Sequence, residues 1–222
     1  MTIAFRRALP ALLLLLAPFA LHGAEHRVEP LMESPPGDAV APAIAGLLNP
    51  TGFKVVRGES RTVCEVWLCK QWEAAAGERP EAVNYPLAPG SLVGVVRFPK
   101  KGSDFRDQDI AEGVYSLRYG QQPVDGAHVG TSPTRDFLLL LPAAQDTTAG
   151  VLDYRTMTKQ SAEAAGSSHP LLLSMQRAET AGDPLAIRHV EEPDWWIVRF
   201  VGKVKGSDVP VDLIVAGHAE EL

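Results

Sequence analysis

Over most of its length the chain alternates apolar and polar positions with the period of a β-strand. Tyr115, Leu117 and Tyr119 fall on one face while Val114, Ser116 and Arg118 fall on the other, which predicts a half-buried strand with one packed face and one wet face. Phe137 to Leu141 shows no alternation, so a strand there must be covered on both faces; Pro142 ends the run well short of the roughly 10–12 residues a helix normally needs. Leu92 to Phe98 and Thr62 to Cys69 read as further strands, and Leu171 to Met175 and Ala186 to Val190 as short ones. Near the carboxyl end Trp196, Val198 and Phe200 alternate, Lys205-Gly206-Ser207-Asp208 turns, and Val209, Val211, Leu213 and Val215 alternate again, which predicts a hairpin.

Helical spacing is confined to two places. Val40, Ile44, Leu47 and Leu48 follow Asp38 as a possible cap, with Pro42 in the tolerated first turn. Asp153 to Ala165 forms a second segment that stops before Gly166. Residues 71–90, rich in Pro and Gly, read as a connecting loop. Roughly nine strands and two or three short helices at such spacings predict a mainly β protein, β-sandwich-like in the jelly-roll or immunoglobulin manner. The domain from 51 to 222 holds that fold, and 25–50 precedes it as an extended arm and a short helix.

Between the two central strands runs a long polar loop, Gln121 to Asp136, punctuated by Pro123, Gly126, Gly130 and Pro133. The cassette Gly113-x-Tyr115-x-Leu117-Arg118-Tyr119, Gln122-Pro123-x-Asp125-Gly126-x-His128-x-Gly130 and Arg135-Asp136-Phe137-Leu138-Leu139 resembles that of a family of uncharacterised exported bacterial proteins. The resemblance implies a bacterial, extracytoplasmic setting. It carries no activity, cofactor or site residue over to this chain.

The amino end agrees with that setting. Arg6 and Arg7, the apolar run Leu9 to Leu21 and the small residues Gly23 and Ala24 form a signal peptide over 1–24. Pro10 and Pro18 interrupt the run, and a span needs about 20 apolar residues, so no membrane span is expected after its removal. The expected location is periplasmic or secreted. Loss of Arg6 and Arg7 leaves 19 basic against 27 acidic residues, a net −8 where the whole chain has −6. The basic cluster Arg97, Lys100 and Lys101 is small and followed by Asp104 and Asp107, so nucleic acid is not an expected partner. Cys64 and Cys69, if one continuous strand holds them, stand about 16 Å apart at ~3.3 Å per residue, too far for the ~7 Å a disulfide tolerates. The two thiols are expected to be free, or bonded only between molecules, and a C-x4-C spacing without a second pair does not make a zinc site.

No nucleophile elbow, zinc-protease helix, dinucleotide fingerprint or phosphate loop is present. The candidate ligand-binding group is Asp125, His128, Arg135 and Asp136, where an imidazole and carboxylates could bind a metal or act as an acid and base pair. The same residues could instead hold the loop through an Asx turn and ion pairs to the backbone. Ser132 is a nucleophile only if a histidine reaches it, and His169, His189 and His218 are single, scattered residues. Trp195 and Trp196 face opposite ways in a strand, and an exposed one could stack on a sugar. Two readings stay open. One is a non-catalytic binding or structural module with a cell-envelope, sugar or protein partner and no cofactor; the other is a metal-dependent or acid/base hydrolase using the 121–136 loop.

Overall fold

The computed structural model describes residues 25–80, 82–123, 134–179 and 181–219. The signal segment and, in the polar loop, Asp125, His128 and Ser132 lie outside the described residues. In chain order the strands are β1 (His26–Leu31), β2 (Gly52–Arg57), β3 (Arg61–Leu68), β4 (Leu92–Phe98), β5 (Gly102–Ser103), β6 (Asp109–Ile110), β7 (Gly113–Gln121), β8 (Asp136–Pro142), β9 (Leu172–Gln176), β10 (Ala186–Val190), β11 (Trp195–Val204) and β12 (Ser207–Ala216). The helices are α1 (Pro42–Ala45) and α2 (Tyr154–Ala165), and Gly37–Ala39 makes a single 3-10 turn before α1.

The protein is mainly β, but its strands do not divide into the two bonded sheets of a sandwich. Among the described residues one antiparallel sheet of ten strands runs β1-β2-β3-β4-β7-β8-β9-β12-β11-β10 and curls until β1 and β10 lie against each other, nearly closing a barrel. Period-two alternation is the same for a sandwich and for a curled sheet, since in both one face of every strand looks inward. Opposite walls do meet: Phe53 of β2 stacks on Phe200 of β11 with ring centroids 5.4 Å apart.

The 25–50 arm is also different from its expectation. Its first part is β1, paired with β2 from His26–Arg57 to Leu31–Gly52. As an edge strand β1 tolerates Pro30, which a central strand would not. Asp38 sits in the 3-10 turn and makes no side-chain cap; α1 starts at Pro42 after Ala41, and its anchor is the fully buried Ile44. The predicted 153–165 helix is found: the Asp153 carboxylate accepts from the Thr156 N–H at 2.9 Å, and Gly166 ends it at φ 63°. The Lys205-Gly206 turn has both φ values positive, 48° and 81°, which is the twist a two-residue hairpin requires.

Strand β8 is covered on both faces, as its unbroken apolar run predicts. Leu138 and Leu140 join the inner core, while Phe137, Leu139 and Leu141 join an outer cluster with Met157 of α2, Phe105, Ile197 and Ile214. The second face of β7, expected to be wet, is buried too: Ser116 and Arg118 are both fully enclosed. Arg118 there makes five hydrogen bonds, pairing in bidentate fashion with Asp146 at 2.8 Å and donating to the carbonyls of Gly90, Thr148 and Gly150. The Ser116 hydroxyl donates to the same Asp146 carboxylate.

Cys64 and Cys69 are free and buried. Burial pushes each thiol up to about 12, so neither is a nucleophile at neutral pH. We expect no alkylation of the native protein by iodoacetamide and two adducts by intact mass once it is unfolded without reductant. A monomer that gains none until it is reduced would mean a disulfide.

The two ends of the barrel are unequal. Residues 71–90, expected to be a connecting loop, are a plug at the end where β3 finishes and β4 begins. Trp72, Tyr85 and Leu87 of this segment are buried in the inner core. The Trp72 ring lies directly on Gly202, where an added Cβ would come within 2.0 Å of the indole, and its N–H donates to the Val93 carbonyl at 2.8 Å. At the opposite end β1 and β3 begin, and β2, β4 and β12 finish.

Candidate functional site

The described part of the predicted loop site stands at the plugged end and is occupied in holding strand ends. The Arg135 guanidinium donates to the Gln122 carbonyl from Nε at 3.1 Å and Nη2 at 3.0 Å, and Gln122 N–H donates to the Arg135 carbonyl at 2.7 Å. Asp136 is fully buried: Oδ2 accepts from the Asn84 backbone N–H at 2.9 Å and its Nδ2 at 3.0 Å, and Oδ1 accepts from the Tyr119 hydroxyl. Burial first, and then the adjacent Asp136 charge, holds the Tyr119 phenol well above its ordinary range, so it remains the donor. Among the described residues no three His, Cys, Asp or Glu side chains converge as metal ligands. His169 is exposed beside Ser167, and His189 and His218 lie toward the other end, near the residues described next.

At the open end strand register assembles a basic mouth. His26 of β1 is paired with Arg57 of β2, and Arg57 is paired with Arg61 of β3. Directly opposed residues of antiparallel strands project to the same face. That face is the inner one: Phe53 and Val55, both in the inner core, precede Arg57 on it. A bulge in β3 opposite Val55 and Val56 shifts the register so that Arg61, two residues before the bulge, is opposed to Arg57, while Cys64 and Val66 beyond it face the same core. The three side chains therefore form a row at the rim of the barrel. Arg27 fixes the turn that joins the arginines, donating to the carbonyls of Gly58 and Glu59.

The row borders a cleft of about 380 Å³, which Lys100, Lys101 and His218 also line and to which Phe98, Val63 and Val215 give apolar wall. Asp107 is the only carboxylate among the described lining residues. Lys101 is paired with Asp109 at 2.6 Å; among the described residues no carboxylate pairs with Arg57, Arg61 or Lys100.

His26 is 7 % exposed and packs on Trp196 with centroids 4.6 Å apart. Trp196 stacks in turn on His189 at 4.4 Å, and His189 Nε2 lies 2.6 Å from an Asp194 carboxylate oxygen. The tryptophans face opposite ways: Trp195 meets Phe105 and donates to the His218 carbonyl at 2.9 Å. Burial, then the Arg57 charge, lowers His26 to about 4 against the opposing pull of Asp194, so the imidazole is neutral at pH 7. Its Nδ1 is buried and has no hydrogen-bond partner among the described residues.

The sequence reading found Lys100 and Lys101 but missed His26, Arg57 and Arg61. The available signal was Arg57-Gly58-Glu59-Ser60-Arg61, two arginines flanking a short turn, which becomes a shared rim only once the 52–57 segment is seen to be a strand. No family model matches the chain, and no match was found among curated proteins or solved structures.

Proposed function

We propose that this is an exported, non-catalytic binding module of the bacterial periplasm or cell envelope that receives its ligand at the arginine-rimmed mouth. The observation that carries this reading is the convergence of His26, Arg57 and Arg61 beside apolar walls on a cleft of about 380 Å³, at the end of the barrel whose interior is not filled by Trp72, Tyr85 and Leu87. That volume lies in the ~300–1,000 Å³ range of small-ligand sites. The signal-like first 24 residues and the central cassette supply the extracytoplasmic setting. Among the described residues no helix is long and apolar enough to cross a membrane.

Native mass spectrometry of protein recovered from a periplasmic extract tests both halves of the proposal. The expected species starts near Glu25 and carries a bound ligand that is lost in Ser103→Trp, a substitution at the exposed edge of the cleft. A form retaining residues 1–24 would overturn export. Identical bound species in both proteins, or none in either, would overturn the mouth as the binding site.

A further inference from the structure

We infer that the mouth is built for a phosphate monoester whose phosphoryl oxygens bridge Arg57 and Arg61; this rests on the reading of that end as the ligand site and names its chemistry. Like charges directly opposed across a strand pair are destabilising, and here two arginines are opposed with no carboxylate between them among the described residues. An anion laid across the pair removes that repulsion, and two guanidinium forks match the oxygens of a phosphoryl group better than point charges would. Lys100 adds positive charge to the same cleft against the single lining carboxylate of Asp107 among the described residues, while Lys101 beside it is already paired with Asp109. This excess suits a dianion better than a monoanionic carboxylate.

The neutral imidazole and the walls refine the class. A neutral histidine nitrogen needs either a donor or an acceptor according to tautomer. A phosphate monoester is a dianion above its second ionisation at about pH 6 and keeps one P–OH as the monoanion below it, so it can meet His26 as acceptor or as donor, whereas sulfate offers acceptors only. The His26 ring lines the cleft and its Nδ1 lacks a partner within the described protein. Phe98, Val63 and Val215 offer apolar wall to the carbon part of an ester. The volume suits a small phosphorylated solute or a single lipid headgroup, and these two sources share the phosphoryl chemistry.

The test is calorimetric titration, at low ionic strength, of the mature protein with inorganic phosphate, glycerol 3-phosphate, sulfate and vesicles containing phosphatidic acid. Saturable binding of glycerol 3-phosphate, stronger than that of sulfate, is expected, with a loss of about tenfold or more in Arg57→Gln and in Arg61→Gln. Lys159→Gln, at an exposed position of α2 that does not line the cleft, should bind as the unaltered protein does. Without ligand the arginine variants should unfold no earlier than the parent, because removing one of two opposed like charges relieves repulsion; this separates a ligand role from a structural one. Binding of vesicles but not of soluble monoester would place the phosphate on a lipid, and the reverse on a solute. Equal affinity for sulfate, binding unchanged in both arginine variants, or no binding of any phosphate probe into the millimolar range would each overturn the inference. If the ligand detected in periplasmic material is lost in Ser103→Trp while every phosphate probe fails, the mouth remains the site and only its chemistry is wrong.

Discussion

Asp146→Ala should lower the unfolding free energy by about 3–5 kcal/mol in urea denaturation, the usual consequence of leaving a buried guanidinium without its carboxylate. Arg118 is fully enclosed on what the sequence suggests is an outer, wet face, and the turn carrying Asp146 is what encloses it. The carbonyls of Gly90, Thr148 and Gly150 complete its donor set, so one guanidinium ties β7 to two separate loops. Removing the charge while keeping the bulk, in Arg118→Met, should cost a comparable amount through the stranded Asp146. The double variant Arg118→Met/Asp146→Leu should be far less destabilised than the sum of the two, since a buried pair and an apolar pair of similar volume often differ little. A loss below about 1 kcal/mol in Asp146→Ala would mean that water reaches Arg118 in solution.

Trp72→Ala should be of similar size, about 3–5 kcal/mol, but through a cavity rather than a charge. The ring fills the space above Gly202, meets Phe200 edge-on at 6.4 Å, and is 3 % exposed. Its lost hydrogen bond matters less, because the Val93 carbonyl also accepts from the Cys69 N–H at 2.9 Å. Gly202→Ala approaches the same contact from the other side and should cost about 1–3 kcal/mol by overpacking. If Trp72→Ala leaves the denaturation midpoint nearly unchanged, the 71–90 segment is not a plug.

What the sequence made legible was what depends on neighbours along the chain. The central hairpin, its doubly covered second strand, the capped α2 and the carboxyl-terminal hairpin all follow from periodicity and turn chemistry, which are local. Polar residues were read less well, for a physical reason. Arg118 alternates with Tyr119 as a solvent-facing residue would, and only the distant Asp146 makes its burial tolerable. Trp72 and Leu87 sit among Pro, Gly and charged residues, so composition marked their segment as loop when its few apolar side chains were the part that mattered. Of the candidate site, Arg135 and Asp136 were found at the start of β8, fastened to Gln122, Asn84 and Tyr119. Arg57 and Arg61 were invisible as a pair because strand register, not sequence, puts them side by side with His26.

The near-closure of the sheet bears on how the protein behaves in a crowd. An open ten-stranded sheet would present two rows of unpaired backbone amides and carbonyls, each a template on which another copy could polymerise. Here the two outermost strands face each other, so each screens the other from such recruitment. The ring column of His26, Trp196 and His189 spans that junction from β1 through β11 to β10. Pro30, together with the charges of Arg27 and Glu29, makes the amino-terminal strand a poor surface for a foreign strand even when the junction loosens. The curl that shapes the mouth therefore also protects the molecule from fibril growth.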